Sequence, residues 1–228
     1  SYEAGHRIGG IYTVLQSKSE QMKRIYGDSY IAVGYYQSES AKAELIEETP
    51  PKDWENLFRK LSNMGIECHY GRWVRGNNVR LILIDAHAFM NQEVEYDGRV
   101  DKRINHIKGE LWARHGVDSM LMGYDFDDAV GWATAAGHLI EEIVNLYPDK
   151  KIVAHFHEWL SGAGLLYLKR KSVRVATVFT THATILGRSI ASSGADLSKM
   201  IYEGLKKGQT IDIHAAYQHK VEGKHLME

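Results

Sequence analysis

Cysteine is nearly missing from this sequence: Cys68 stands alone among 228 residues. A lone thiol cannot close an internal disulfide, so the simplest reading is a reducing compartment, the cytoplasm. Net charge is nearly missing too, with 28 basic against 29 acidic residues and −1 overall. That excludes a global field able to attract nucleic acid or an anionic lipid surface. No apolar run approaches the roughly 20 residues a membrane helix needs. Internal repeats, low-complexity tracts, linkers and a signal peptide are not visible either. The chain starts at Ser1 rather than methionine, which reads as a piece of something longer. Its length suffices for one large domain or two small ones with a sizeable core.

What is present is organised around residues 151–188. Two short β-branched or apolar runs, 152–156 and 173–180, flank a glycine-rich stretch able to form one helix. That is a βαβ unit, and a parallel sheet presents its ligand sites beyond the carboxyl ends of its strands. Both runs end in reactive polar residues: His155, His157 and Glu158 after the first, then Thr180, Thr181, His182 and Thr184 after the second.

The rest of the chain reads as alternating helices and strands, an α/β protein with a mostly parallel sheet flanked by helices. Ahead of a helix carrying Ile11, Val14, Leu15, Met22 and Ile25 lies Arg7-Ile8-Gly9-Gly10. A Gly-Gly pair at a helix start lets backbone amides approach an anion, and Arg7 could add a bidentate grip on phosphate; a plain helix-entering turn is the alternative. A strand is expected over 30–36 and a solvated acidic loop over 44–48. Asp53 should cap a helix running to about residue 63. Strands over 66–73 and 79–84 read as a hairpin about Gly76-Asn77-Asn78. Residues 85–97 read as loop, 101–115 as a helix with Ile104, Ile107, Leu111 and Trp112 on one face, and 128–146 as the longest helix. Loop is expected over 189–194, and helices over 196–205 and 210–226, the last holding His214, His219 and His225.

Several chemistries compete for these residues. His155 and His157, two apart on a strand, face the same way and with His182 could hold zinc, although no His-Glu-x-x-His helix motif accompanies them. Hydrogen-bonded core histidines are the bland alternative. Asp125, Asp127 and Asp128 could suggest a metal, but a dipole-favoured helix start explains them more simply. Catalysis by a threonine or serine with His182 lacks a Gly-x-Ser-x-Gly elbow. Arg188 beyond Gly187, together with Arg7, Gly9 and Gly10, could instead stabilise charge on a departing phosphate. Glu158 could orient a sugar hydroxyl or a neighbouring histidine. These residues together point to a site for a phosphate-bearing ligand, with the reaction open.

Five segments carry a resemblance: Arg7-Ile-Gly-Gly-Ile-Tyr-Thr-Val-Leu15, Gly71-Arg-Trp73, Lys108-Gly-Glu-Leu-Trp112, Val153-Ala-His-Phe-His-Glu-Trp159 and Phe179-Thr-Thr-His-Ala-Thr-Ile-Leu-Gly-Arg188. In that order they closely resemble the glycogen synthases of animals and fungi. The resemblance implies residues 1–228 are the Rossmann-like N-terminal domain of a GT-B glycosyltransferase fold, incomplete at both ends and without its C-terminal nucleotide-sugar domain. It implies a retaining transfer of glucose from a nucleotide-glucose, UDP- or ADP-linked, to the non-reducing end of an α-1,4-glucan, with no metal or cofactor. Arg7, Gly9 and Gly10 would lie against the donor's phosphates, His182 near the transferred glucose, and Arg188 on the donor. Glu158 falls where bacterial and plant relatives carry the aspartate of a His-Asp-Trp motif, and His157 becomes a supporting residue. Met227-Glu228 resembles the start of the family's Met-Glu-Arg-Ala motif. The family's arginine–lysine pair and glutamate belong to the missing domain, so this chain alone should be inactive. A homo-oligomer is expected at full length. A non-catalytic glucan-binding module and a metal-dependent hydrolase using His155, His157 and His182 remain the rival readings.

Overall fold

The run at residues 79–84 forms the spine. In the computed structural model, which describes residues 1–208, Val79, Leu81, Ile82, Leu83 and Ile84 are all at most 1% exposed. A strand buried on both faces needs cover on both, and here the alternation of side chains divides the core in two. This strand, β4 (Arg80–Asp85), sends Ile82 and Ile84 to one face, against Trp54, Leu57, Leu61, Val130 and Leu139. Leu81 and Leu83 go to the other, against Tyr12, Leu15 and Trp73.

β4 pairs in parallel with β1 (Ile31–Tyr35), Val33 opposite Ile82. On its other side it pairs antiparallel with β3 (Glu67–Trp73), Tyr70 opposite Ile82. The expected hairpin therefore exists, and Asn77 and Asn78 supply its left-handed turn at φ 54 and 58. A short β2 (Leu45–Glu47) completes the sheet in the order β1-β4-β3-β2. The first helix, α1 (Gly10–Tyr26), covers one face with Tyr12 and Leu15. The other face carries α3 (Glu55–Ser62) and α6 (Tyr124–Leu146). Residues ahead of α1 cross β1 so closely that a Cβ on Gly34 would lie 1.7 Å from the Ala4 carbonyl oxygen. Only glycine fits there.

The βαβ unit is present: β7 (Val153–His157), α7 (Trp159–Arg170) and β8 (Ala176–Thr180), with Phe156 opposite Phe179 in parallel register. α7 packs on α6 through small residues; a Cβ on Gly164 would stand 2.4 Å from the Ala133 carbonyl oxygen. Two further helices come next in the chain, α8 (Ile185–Ser192) and α9 (Leu197–Lys207).

Several expectations are corrected. The sheets are mixed rather than mostly parallel: β1–β4 and β7–β8 are parallel, while β2–β3, β3–β4 and β5–β6 are antiparallel. A short turn can only reverse the chain, and two of the antiparallel pairs, β3–β4 and β5–β6, are such local returns, while β2 reaches β3 by way of α3. Residues 85–97 are not loop: they form α4 (His87–Asn91) and β5 (Glu93–Tyr96), which turns through Asp97-Gly98 into β6 (Arg99–Lys102). The acidic stretch at 44–48 is not simply solvated, because α2 (Ser38–Glu44) delivers Glu44 to a buried position. There its carboxylate accepts from the Tyr12 hydroxyl at 2.9 Å and the Trp73 indole at 2.8 Å. Asp53 does not cap α3; it accepts a hydrogen bond from the Tyr147 hydroxyl, and Trp54 holds the cap position. On α5 (Arg103–His115), Ile104 and Leu111 are buried but Trp112 is 59% exposed. α6 starts at Tyr124, so Asp125 and Asp127 sit in its first turn, where the helix dipole favours them. Asp127 pairs with Lys108 at 2.8 Å while Asp128 accepts from Tyr2, so the aspartates diverge. α8 covers most of the loop expected over 189–194. The helix expected over 210–226, with His214, His219 and His225, and the Met227-Glu228 motif lie outside the described residues.

Candidate active site

β7 ends at His157, and the next residue is the strained one. Glu158 has φ 65 and ψ 167, a conformation that glycine adopts freely and that costs a residue with a side chain about 1–3 kcal/mol. Five hydrogen bonds hold it. Its amide donates to Thr180 O at 2.9 Å, and its carbonyl accepts from the Ser161 amide and hydroxyl, each at 3.0 Å. Its carboxylate Oε1 accepts the backbone amides of His182 and of Ala183, the latter at 2.9 Å. Glu158 is 7% exposed, and its side chain reaches from the end of β7 to the loop after β8. A glycine here would relieve the backbone and abandon the loop.

The histidines stack beside it. His155 and His157 face the same way, as their spacing requires, with ring centroids 4.2 Å apart. His155 Nε2 meets Thr180 Oγ1 at 2.7 Å. His157 is buried, and both its nitrogens are engaged: Nδ1 with His182 Nε2 at 2.9 Å, Nε2 with the Lys18 ammonium of α1 at 3.0 Å. Burial first, and then Lys18, push the His157 ring down to about 2, so it is neutral at any physiological pH. The same two causes lower His155, and burial lowers Lys18. His182 itself is exposed, its ring 5.2 Å from that of His157.

Of the residues singled out in the sequence, Glu158, His157 and His182 come together. Gly9 caps α1 in extended conformation, with no acidic residue in the first helical turn. Its lack of a side chain admits Glu3: a Cβ on Gly9 would lie 3.0 Å from Glu3 Oε1, while Glu3 Oε2 accepts the Tyr12 amide at 3.0 Å. Gly10 has open space beside it. Arg7 and Arg188 are exposed and make no side-chain hydrogen bond or ion pair to another described residue. They are free to meet a ligand, but nothing brings them into the histidine cluster.

Two participants carried no signal in the sequence. Lys18 lies 139 residues from the histidine it meets, and Glu3 precedes the glycine pair it guards; both read as ordinary charged positions. The zinc reading loses its geometry. The His157 nitrogens face a cation and another ring nitrogen, and among the described residues no group of three or more histidine, cysteine or acidic side chains could hold a metal. The site is an open edge. A cavity of about 240 Å³ bordered by Arg103, His138 and Tyr167 lies apart from it.

The glycogen synthase family model matches residues 1–219. Among curated proteins, the chain is 31% identical over 215 residues to a glycogen (starch) synthase of Dictyostelium discoideum, covering 91% of this chain and 23% of that protein. It is 33% identical over 199 residues to the glycogen (starch) synthase of Neurospora crassa, covering 85% and 26%. With the human liver glycogen (starch) synthase it shares 27% identity over 197 residues, covering 86% and 26%. The chain thus spans about a quarter of the length of these relatives.

Proposed function

The chain belongs to the glycogen synthase family, and from that premise we propose that it is one wall of the catalytic cleft of a retaining glucosyltransferase. The full-length protein moves glucose from a nucleotide-glucose, UDP- or ADP-linked, to the non-reducing end of an α-1,4-glucan. On this reading residues 1–228 are the Rossmann-like N-terminal part of a GT-B fold. The remaining catalytic groups lie in the portion of the protein outside this chain. No cofactor takes part. The protein works in the cytoplasm, where a nucleotide-sugar donor is at hand. Among the described residues no helix is long and apolar enough to cross a membrane.

The observation that carries the reading is the hydrogen-bonded set Glu158, His157 and His182 at the carboxyl ends of β7 and β8. The roles are those the resemblance to the family implies, and the geometry is compatible with them. His182, exposed yet anchored through its own amide, faces the transferred glucose and stabilises the transition state there. Glu158 is catalytic in the sense that its buried charge fixes the loop bearing that histidine against the sugar. His157 supports the ring of His182. Arg7 and Arg188, exposed and without a side-chain partner among the described residues, bind the donor's phosphates. Gly10 leaves open space at the start of α1 for them, and the donor has to approach Gly9 past the Glu3 carboxylate that lies beside it.

Glucose transfer to glycogen by the full-length protein, followed with UDP- and ADP-glucose in competition, tests this. His182→Ala should depress turnover by orders of magnitude while the fold survives. Arg7→Ala and Arg188→Ala should weaken donor binding and leave glucan retention on an affinity gel intact. Normal turnover in all three variants overturns the assignment. Residues 1–228 alone should not elongate glucan, and elongation by them refutes the divided site.

A further inference from the structure

The contact between Lys18 and His157 has no part in the proposed function, yet the proton order it imposes reaches His182. An ammonium can only donate. Facing Lys18 at 3.0 Å, His157 Nε2 must therefore accept, and a neutral His157 then carries its proton on Nδ1. That Nδ1–H points at His182 Nε2, 2.9 Å away, which must accept in turn. A neutral His182 accordingly holds its proton on Nδ1. The opposite tautomer, or an imidazolium, would set an N–H against an N–H across the same short contact. His157 lies stacked between the rings of His155 and His182, with centroids 4.2 and 5.2 Å away.

We propose that Lys18 is a positioning residue that acts through His157 to hold His182 as the Nδ1–H tautomer, with that N–H as the ring's one free donor. Its ligand partner is an acceptor oxygen, a sugar hydroxyl or a phosphate, rather than a donor. The catalytic consequence rests on the function proposed above; the tautomer does not. The groups facing His157 are Lys18 from α1, His155 from β7, His182 from the loop after β8 and the amino group at Ser1. None of them is a carboxylate that could reverse the order by accepting a proton carried on Nε2. Leaving a buried donor opposed by another donor costs enough to bias the tautomers about tenfold to a hundredfold.

Long-range proton–nitrogen correlation spectra of the histidine-labelled chain, recorded above the ordinary histidine range, read each tautomer directly. His157→Gln and His182→Gln supply the assignments. The expected result is Nδ1–H on both His157 and His182. An Nε2–H signal from His157 in the unsubstituted chain overturns the proposal, and this measurement stands even if no Lys18 variant folds. Lys18→Met should release the bias at both rings, and Lys18→Arg, which also only donates, should keep it. Unchanged spectra in a folded Lys18→Met chain overturn it as well. In the full-length protein Lys18→Met should lower kcat with the donor KM little moved, and Lys18→Arg should restore kcat. An inactive full-length protein would count against the proposed function while leaving the spectra to decide the relay.

Discussion

Replacing His138 with glutamine removes a half-buried titratable ring while keeping a hydrogen-bond donor. The ring lies on α6, its centroid 4.3 Å from that of Tyr167 and 5.5 Å from that of Phe89. Its Nδ1 meets the Tyr167 hydroxyl at 2.9 Å, and that hydroxyl donates onward to Glu141. Burial, reinforced by Arg103 and Lys171, pushes His138 from 6.5 down to about 4. The unfolded chain therefore binds a proton between these values that the folded chain refuses. Stability from this group is complete above pH 6.5 and is lost as pH falls toward 4, at about 1.4 kcal/mol per unit. Going from about pH 7.5 to about pH 5 should cost the parent about 2 kcal/mol through His138 alone. His157 and the Ser1 amine are also pushed down and act with the same sign, but they are common to both proteins and cancel in the comparison. Urea unfolding at a series of pH values, monitored by tryptophan fluorescence, measures both curves. Lost packing can lower the variant's starting point at neutral pH, but its slope toward acid should be shallower by that amount. Parallel curves would show that His138 protonates in the folded state as easily as in the unfolded one, and would refute burial as a cost to its charged form.

Three further outcomes can be checked. Glu158→Gln removes a charge from two amide hydrogen bonds and should cost about 1.5–3 kcal/mol in unfolding free energy, with amide exchange at His182 and Ala183 accelerated; an unchanged midpoint would contradict the clamp. Gly34→Ala forces a methyl into the Ala4 carbonyl and should lower stability by more than about 3 kcal/mol or abolish folding, read by thermal unfolding and soluble yield. Lys108→Met deletes the cation that meets Asp127 and the Met122 carbonyl, each at 2.8 Å, and should cost about 3 kcal/mol. Adding Asp127→Asn should recover part of that loss, and purely additive costs in the double-mutant cycle would refute the pairing.

Much of the fold was readable because burial on two faces leaves a blunt mark. Residues 79–84 are apolar but for Arg80 and are preceded by Gly76-Asn77-Asn78, and they became β4 and its turn. α6 and the β7–α7–β8 unit emerged from equally long patterns. The misses are short elements whose identity depends on partners. β2 has three residues and exists because β3 offers an edge; β5 and β6 are exposed, so no apolar alternation announces them, although Asp97-Gly98 is a recognised hairpin turn. Glu44 looked like surface charge because sequence does not show that a tyrosine and an indole await it. Within the site, Glu158, His157 and His182 were legible from their place after two strands. Lys18 was not, since a contact across 139 residues leaves no spacing to read.

The carboxylate of Glu158 also has a mechanical meaning. The segment after β8 would ordinarily move with its neighbour in the chain, α8. By accepting the amides of His182 and Ala183, a residue at the end of β7 ties that histidine to the strand rather than to α8. The pivot for any swing of α8 then falls at Thr184, after the clamped amides. Such a swing would carry Arg188 toward or away from a ligand while His182 stayed behind with β7. His182 and Arg188 are six residues apart in the chain, yet only the first is tied to the end of β7.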